Sequence, residues 1–599
     1  MPRYASRTTL VVRGFALFLC GAVLAGATDR AFANVDSSET LASQWAEYQA
    51  DVPKTIVELQ PFRRTMSVEF PVPGDRVVAT LINVNPQVNA WFLLTLRWAS
   101  SGKSIAYHLE NPQPKAQMLA VRAAYPNGIR ISVGGRDVDC DLWSDGQMTP
   151  LRQAQRSDLP YAPLCEDRLY LRNVVAGSYT HLERVTNFLR DHVWGGEQIV
   201  GFVKEQFFSD AFIETSGAAR ASITPEASAP SDGPPPARIA DSFVQRSIVP
   251  EHLGIDVGQR AGGLSMGRWY AVRGAPGMFL SGVQPEAIDA ASSREDRRTV
   301  NPLDAVEAAA VDYLVALDLA QFDLGFAIGT DHPRVGWSER VLESVRNPKL
   351  PGPDGIGSIA PLVGNGMVSP PMVPLTAVTF AGGFKREHGA FRYGALAQQN
   401  RGTHYGFIEQ GAILSKLQPQ LATLIVDDDG AVRMKTWTAG DEPGLPHIKH
   451  ARQNGVPLIE YDETTGVSRP GSLVSAWGPG NWSGSSDERL RTLRAGACLL
   501  ESGTRRFLVY GYFSTATPSA MARVFQAYGC RYAMHLDMNA LEHTYFAIYI
   551  HENGRILVQH LIDGMAEVDR KGGDELAPRF LSFPDDRDFF YLTRKTVAP

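Results

Sequence analysis

Three polar residues recur at alternate positions in the segment 531–539, namely His535, Asp537 and Asn539. A strand turns successive side chains to opposite faces, so these three would share one face. Buried polar groups are costly without partners, and a polar face inside a large chain is therefore expected to line a site. Asp537 and the nearby Glu542 are the carboxylates that acid–base chemistry on a glycosidic or ester bond requires. The segment predicts a catalytic cluster of His535, Asp537 and Glu542.

Two other interpretations of this cluster stay open. The same side chains could bind a divalent cation through oxygen and nitrogen. They could also form a hydrogen-bonded polar network in the core, with no ligand. The sequence does not assign a cofactor, and a divalent cation is the only one that it suggests.

A strand, a helix and a second strand are expected to position the cluster. Residues 506–510 form an apolar strand-like run, and Thr517 with Pro518 is typical of a helix start. The second strand then ends near Asp537. Ligands of α/β folds bind at the carboxyl ends of such strands. This order of elements predicts a βαβ-like unit with Asp537 at the carboxyl end of its second strand.

A second candidate follows the β-type run 377–380, where Gly382-Gly383 precede Phe384 and Lys385. Paired glycines permit unusual backbone angles or close approach of a ligand to the main chain. Exposed N–H groups beside a lysine suit a phosphate or a carboxylate. The alternative is a tight corner with a purely structural role.

Gly263-Leu264-Ser265-Met266-Gly267 matches G-x-S-x-G, the motif around the nucleophile of many serine hydrolases. That motif requires a strand before the serine and a helix after it. Here a glycine-containing loop precedes Ser265 and a strand-like segment follows. The context disfavours Ser265 as a nucleophile.

The amino terminus has three arginines, an apolar run over residues 15–27 and Ala31-Phe32-Ala33. This pattern predicts a signal peptide over residues 1–33 and a periplasmic or secreted protein. No later run is long enough to span a bilayer. Removal of the peptide leaves four cysteines, and proximity favours the disulfides Cys140–Cys165 and Cys498–Cys530. Four free thiols are the alternative.

The formal net charge of −6 and the lack of a basic patch disfavour nucleic acid as a partner. A Pro-, Gly-, Ala- and Ser-rich stretch over residues 215–240 predicts a linker. Before it, residues 35–214 show short alternating segments, which predict a β-rich, sandwich-like accessory domain that ends in helices. After it, residues 241–599 mix strands and helices, so this larger domain is predicted to be α/β in the sense of mixed α+β. The oligomeric state is open.

The order of motifs in the larger domain resembles the phosphodiester glycosidase family. The corresponding residues are Gly382-Gly383-Phe384, then residues 405–411 and 453–459, Arg494, Tyr510-Gly511-Tyr512 and Leu536-Asp537. Several positions depart from the family pattern: Ala381 replaces an asparagine, Tyr510 and Tyr512 replace charged residues, and Met538, Asn539 and Ala540 replace glycines.

The resemblance implies an exported hydrolase that acts on sugar-1-phosphate diesters or related phosphorylated glycans. The resemblance assigns an active-site role first to Asp537, and Arg494 would then bind the phosphate. Gly382 and Gly383 would offer backbone contacts to substrate. Lys385 and Asn539 are further candidate contacts. The replaced signature residues favour an alternative, a non-catalytic glycan-binding protein of the envelope on the same scaffold.

Overall fold

The protein is represented by a computed structural model. It describes residues 37–50, 52, 54–144, 146–179, 213–214, 232–258, 263–289, 299–332, 335–338, 341–386, 405–475, 490–572 and 575–595. The expected signal peptide, the helices expected over residues 180–210 and most of the expected linker lie outside these residues.

The amino-terminal part, residues 37–179, is rich in β-structure, as predicted. Its helices are α1 (Ser37–Gln49) and α2 (Thr149–Arg156), and its strands are β1 (Arg64–Val72), β2 (Asp75–Asn83), β3 (Trp91–Trp98), β4 (Ser104–Glu110), β5 (Gln117–Arg122), β6 (Tyr125–Val133), β7 (Arg136–Asp141), β8 (Tyr161–Leu164) and β9 (Leu169–Arg172). Six strands form a sheet in the order β1-β2-β3-β4-β9-β8, and β5-β6-β7 form a second sheet.

The two sheets of this part share one apolar core because their strands alternate. Val77, Ala79 and Leu81 of β2 are buried, and they belong to the same cluster as Ile129 and Ile131 of β6. This inward alternation is what a two-sheet sandwich requires.

The carboxyl-terminal part, residues 232–595, is a larger mixed fold, again as predicted. Its helices are α3 (Ala305–Ala309) and α4 (Pro518–Ala527), and its strands are β10 (Ser247–Ile248), β11 (Leu264–Ser265), β12 (Tyr270–Ala271), β13 (Met278–Val283), β14 (Asp312–Asp318), β15 (Phe322–Ala327), β16 (Thr376–Ala381), β17 (Phe407–Glu409), β18 (Ala412–Ser415), β19 (Ala422–Asp427), β20 (Val432–Thr436), β21 (Ile448–Gln453), β22 (Ile459–Asp462), β23 (Val467–Pro470), β24 (Thr492–Ser502), β25 (Arg505–Ala516), β26 (Tyr532–Met538), β27 (Phe546–Glu552), β28 (Arg555–His560), β29 (Arg570–Gly572), β30 (Glu575–Ala577) and β31 (Phe589–Arg594).

Three larger sheets organise these strands. An eight-stranded sheet has the order β12-β13-β14-β25-β24-β26-β22-β23, and two five-stranded sheets have the orders β15-β31-β16-β27-β28 and β18-β17-β21-β19-β20. Neighbouring strands in the large sheet are antiparallel. Since β25 and β26 are each antiparallel to β24, they run parallel to each other with β24 between them.

Strand β25, helix α4 and strand β26 form the predicted βαβ-like unit. The helix begins as expected, because the Oγ1 of Thr517 accepts a hydrogen bond from the N–H of Ala520 at 3.2 Å. Gly496 on β24 allows the helix to pack closely on the sheet, since a Cβ there would lie 2.9 Å from side-chain atoms of Met521 and Phe525. The unit brings Asp537 to the end of a central strand.

Both predicted disulfides are present. Cys140 pairs with Cys165 across a Cα–Cα distance of 5.5 Å, and Cys498 pairs with Cys530 across 5.9 Å. The second bridge ties β24 to the chain between α4 and β26. Paired cysteines fit an oxidising compartment outside the cytoplasm.

The amino-terminal part packs against the carboxyl-terminal part. The Gln60 amide both donates to the carbonyl of Ile413 and accepts from its N–H, each at 2.8 Å. The Asn365 amide donates to the carbonyls of Pro160 and Asn173 at 2.8 and 3.0 Å. In the part of the chain that the structure describes, no helix has the length and apolar character to cross a membrane.

Candidate functional site

The candidate site lies where four central strands of the eight-stranded sheet end. Because neighbouring strands are antiparallel, the first residues of β14 and β24 lie beside the last residues of β25 and β26. Arg494 is near the start of β24, and His535 and Asp537 are near the end of β26. The strand order therefore brings these three predicted residues into one region.

A bulge in β26 changes which side chains share a face. Arg494 pairs with Met538 and Gly496 pairs with His535, so the register shifts by one residue between the two pairs. Arg494 and Gly496 share a face of β24, and a bulge therefore turns His535 and Met538 to that same face. The expectation of strict alternation from His535 to Asp537 is wrong for this reason.

Arg494 is a buried cation without a carboxylate partner among the described residues. It is fully buried. Its Nε donates to the carbonyl of Ala516 at 2.8 Å, and its Nη2 donates to that of Leu490 at 3.0 Å. Burial lowers the pKa of Arg494 to about 9, and Glu307 partly opposes this shift. A guanidinium that has no carboxylate in direct contact among the described residues favours binding of an anion.

His535 lies against Arg494 as a neutral imidazole. The Nη1 of Arg494 donates to the Nε2 of His535 at 3.3 Å, and the ring of Phe384 is 4.8 Å from the imidazole. Burial, together with the charge of Arg494, holds the pKa of His535 well below its usual value. Because Nε2 accepts, the neutral ring carries its proton on Nδ1.

Asp537 forms an ion pair with Arg587. Its Oδ2 accepts from Nη1 of Arg587 at 2.8 Å, and its Oδ1 accepts from the N–H of Met538 at 2.8 Å. Only 5% of Asp537 is exposed. Among the described residues, Arg587 therefore covers this acid.

Glu542 lies beside His543, which Arg587 joins to Asp537. The Nη2 of Arg587 donates to the Nε2 of His543 at 2.7 Å, and an oxygen of Glu542 lies 3.4 Å from the same Nε2. The Nδ1 of His543 donates to the carbonyl of Met538 at 2.8 Å. His543 is partly exposed. The chain Asp537–Arg587–His543 thus runs from the buried strand toward the surface, and Glu542 lies next to His543.

Asn539 adopts a backbone conformation that glycine prefers. Its φ is +81°, and its N–H donates to the carbonyl of Leu493 at 2.8 Å. Its side-chain oxygen accepts from the hydroxyl of Thr492 at 3.0 Å. Asparagine tolerates positive φ better than most residues. The side chain thereby fastens the turn after Asp537 to β24.

Gly382 and Gly383 make room for protein rather than for open space. A Cβ on Gly382 would lie 3.0 Å from the carbonyl oxygen of Asp588, and a Cβ on Gly383 would lie 2.8 Å from Oδ1 of Asn454. Gly383 also has a φ of +131°. The Asn454 amide joins this corner to β26 by donating to the carbonyl of His535 at 2.7 Å.

Lys385 is buried and interacts with Asp586, whose carboxylate is 3.3 Å from its Nζ. This ion pair satisfies the lysine charge inside the protein. The predicted contact of Lys385 with a phosphate or carboxylate ligand stays a prediction.

The sequence interpretation missed a buried charged segment, Asp585-Asp586-Arg587-Asp588, that precedes β31. Arg579 binds Asp585 through two hydrogen bonds, of 2.8 and 2.9 Å. Asp588 binds Arg452 at 2.5 Å and also contacts His332. Burial alone would raise the pKa of Asp588, but Arg452 and His332 lower it to about 2. The run of four charged residues directly before an apolar strand was the sequence feature that could have identified this segment.

The described residues do not assemble a metal site. No group of three or more His, Cys, Asp or Glu side chains in the described ranges could hold a metal ion. Asp537 interacts with Arg587 and His535 with Arg494, so these two side chains do not converge on one point. A divalent cation therefore has no supporting ligand set here.

Ser265 is not on a strand-to-helix turn. It ends the two-residue strand β11, and its N–H donates to the hydroxyl of Tyr270 at 2.8 Å. The next element is strand β12. This geometry is not that of a hydrolase nucleophile.

No protein-family profile matches the chain, and neither does any curated protein. Among solved structures, the catalytic domain of zebrafish N-acetylglucosamine-1-phosphodiester α-N-acetylglucosaminidase, auto-inhibited by its pro-peptide, is similar at a TM-score of 0.27 and 9% identity, over 54% of this chain and 85% of that chain. A protein described as exported, from Burkholderia pseudomallei, has a TM-score of 0.22 and 10% identity over 52% and 81%. A hypothetical protein from Synechocystis has 0.28 and 9% over 84% and 97%. Such TM-scores carry no argument about function, which must rest on this chain's own residues.

Proposed function

We propose that this protein is an exported hydrolase that cleaves sugar-1-phosphate diesters in phosphorylated glycans. The observation that carries the proposal is that neighbouring strand ends carry a carboxylate, Asp537 on β26, and a buried guanidinium, Arg494 on β24, which has no carboxylate ion-pair partner among the described residues. Hydrolysis of a sugar phosphate needs both an acid–base group and a cation for the phosphate. The predicted signal peptide and the two disulfides support an exported protein.

In this proposal the carboxylate of Asp537 accepts a proton from the attacking water. The water oxygen bonds to the anomeric carbon, and the bond between that carbon and the phosphate oxygen breaks. The leaving phosphate monoester keeps the electron pair of that bond, and Arg494 stabilises its charge. Neutral His535 adds no second positive charge and holds Arg494 in place. Lys385, Asn539, Gly382 and Gly383 act as the surrounding framework.

Hydrolysis in ¹⁸O-labelled water tests both the activity and the bond that is cleaved. A sugar-1-phosphate diester is incubated with the purified mature chain, and the products are examined by mass spectrometry. Label in the free sugar supports the proposed carbon–oxygen cleavage. Label in the phosphate, or no turnover with any of a panel of sugars, contradicts it.

A second function has one observation in its favour. Asp537 is mostly buried and already paired with Arg587, which suits a structural ion pair as well as a catalytic group. The alternative is a non-catalytic protein that binds anionic glycans. Binding of a phosphorylated saccharide that is unchanged in Asp537→Asn, without turnover by wild type, would favour this alternative.

A further inference from the structure

A buried arginine of the amino-terminal part is shared by two carboxylates, one from each part. Arg172 on β9 has its Nη1 2.5 Å from Glu110 and its Nη2 3.6 Å from Glu409 on β17. None of the three is more than 4% exposed. The three side chains thus form a charged cluster inside the contact between the two parts.

Neighbouring groups fix the geometry of this cluster. The Nε of Arg172 donates to the carbonyl of Val363 at 3.1 Å, and its guanidinium lies 4.5 Å from the ring of Trp91. Glu409 accepts from the N–H of Ile328 at 3.0 Å. Arg172 is therefore held by both parts, and Glu409 cannot turn toward solvent without breaking a hydrogen bond.

One guanidinium cannot neutralise two buried carboxylates, so one negative charge would remain in a setting of low polarity. Burial raises the pKa of Glu409 to about 8, even though Arg172 and the N–H of Ile328 lower it, and Glu110 and Asp588 raise it further.

Four more titratable groups face the cluster. One is Lys449, whose pKa is lowered by burial while the charge of Glu110 raises it. Burial keeps Tyr161 and Tyr591 neutral by raising their pKa values. His108 is neutral because burial, assisted by Arg172, lowers its pKa. A proton on Glu409 removes one of the two negative charges around Arg172.

We propose that the amino-terminal part is held on the carboxyl-terminal part by a proton-linked contact, in which Glu110 and Glu409 share Arg172 and Glu409 carries a proton. Loss of that proton leaves two carboxylates around one guanidinium and weakens the contact. The contact is also linked to the candidate site. Asp588, which faces Glu409, binds Arg452, and Arg452 donates to the carbonyl of Phe384 at 2.5 Å.

The expected pH dependence follows from the direction of the shift. The pKa of Glu409 is higher in the folded protein than in an unfolded chain, where it is about 4.3. The folded state therefore binds the proton more tightly, and this stabilisation is complete below about pH 4.3. It is lost as the pH rises toward 8.

Calorimetric unfolding of the full chain at pH 6 and pH 9 tests the proposal. Wild type should unfold in one transition at pH 6, and at pH 9 the transition of the amino-terminal part should separate and move to lower temperature. Glu409→Gln should keep one transition at both pH values, because glutamine cannot ionise. Glu69→Gln is the matched control, since Glu69 forms an exposed ion pair within the amino-terminal part, and it should behave like wild type.

An identical pH response in wild type and Glu409→Gln would overturn the proposal. If Glu409→Gln does not fold, the same calorimetric comparison is made with Glu110→Gln, because that variant also leaves one carboxylate for Arg172. Its pH response should then be smaller than that of wild type. A pH response in Glu110→Gln equal to that of wild type would then contradict the proposed contact. These outcomes do not depend on whether the protein hydrolyses any substrate.

Discussion

Arg587 donates to the carboxylate of Asp537 across 2.8 Å and to the imidazole of His543 across 2.7 Å. One guanidinium therefore joins the end of β26 to the loop that follows it. Arg587 belongs to the segment before β31, so this connection forms only when that segment packs against the eight-stranded sheet.

Replacement of Arg587 by methionine should destabilise the protein. It leaves the buried charge of Asp537 without its partner, a loss that typically costs about 3–5 kcal/mol. Urea unfolding of Arg587→Met, Asp537→Asn and the double variant measures this term. The double variant should be more stable than the sum of the single effects predicts, and strict additivity would show that the two side chains do not interact.

Replacement of Arg494 by methionine should weaken the binding of a sugar phosphate at least tenfold, or about 1.4 kcal/mol. Methionine fills similar space but offers no charge to the phosphate. Isothermal titration calorimetry with a sugar-1-phosphate measures the loss. The control Arg64→Met removes an exposed arginine and should keep wild-type affinity. Equal affinities of the two variants for the sugar phosphate would show that Arg494 does not bind the phosphate.

His535 should make the protein sensitive to mild acid. Its pKa is lower in the folded protein than the value of about 6.5 in an unfolded chain, so the unfolded state binds its proton more readily. Stability from this group is present above pH 6.5 and is lost as the pH falls below it. His535→Gln should lose less stability than wild type between pH 7 and pH 5. Parallel stability curves would show that His535 does not contribute.

Gly383→Ala should destabilise the protein more than Gly503→Ala. Both glycines have positive φ, but a Cβ on Gly503 meets no atom within 4 Å, whereas a Cβ on Gly383 meets Asn454 at 2.8 Å. The backbone term alone should cost about 1 kcal/mol. Displacement of Asn454 adds the loss of its buried hydrogen bonds, each about 1 kcal/mol. Equal free energies of unfolding for the two variants would contradict the contact.

Local patterns in the sequence were sufficient for the elements around Asp537. Thr517 and Pro518 marked the start of α4, and the spacing of the cysteines indicated both disulfides. The alternation from His535 to Asp537 was misleading, because a bulge depends on how β24 and β26 pair and leaves no local signal. Arg587 was missed because its contact with Asp537 spans 50 positions. The role of Gly383 was equally non-local, since its neighbour Asn454 follows β21, a strand of another sheet.

The most direct test of the proposed hydrolase is the turnover of an aryl sugar-1-phosphate diester by wild type and by Asp537→Asn. Asparagine keeps the shape of the side chain but cannot accept a proton from water. The proposal predicts turnover by wild type, a loss of at least a hundredfold in kcat for Asp537→Asn, and wild-type activity for the control Asp563→Asn, which changes an exposed residue. Unchanged turnover in a folded Asp537→Asn variant would contradict the central claim, as would no turnover by wild type.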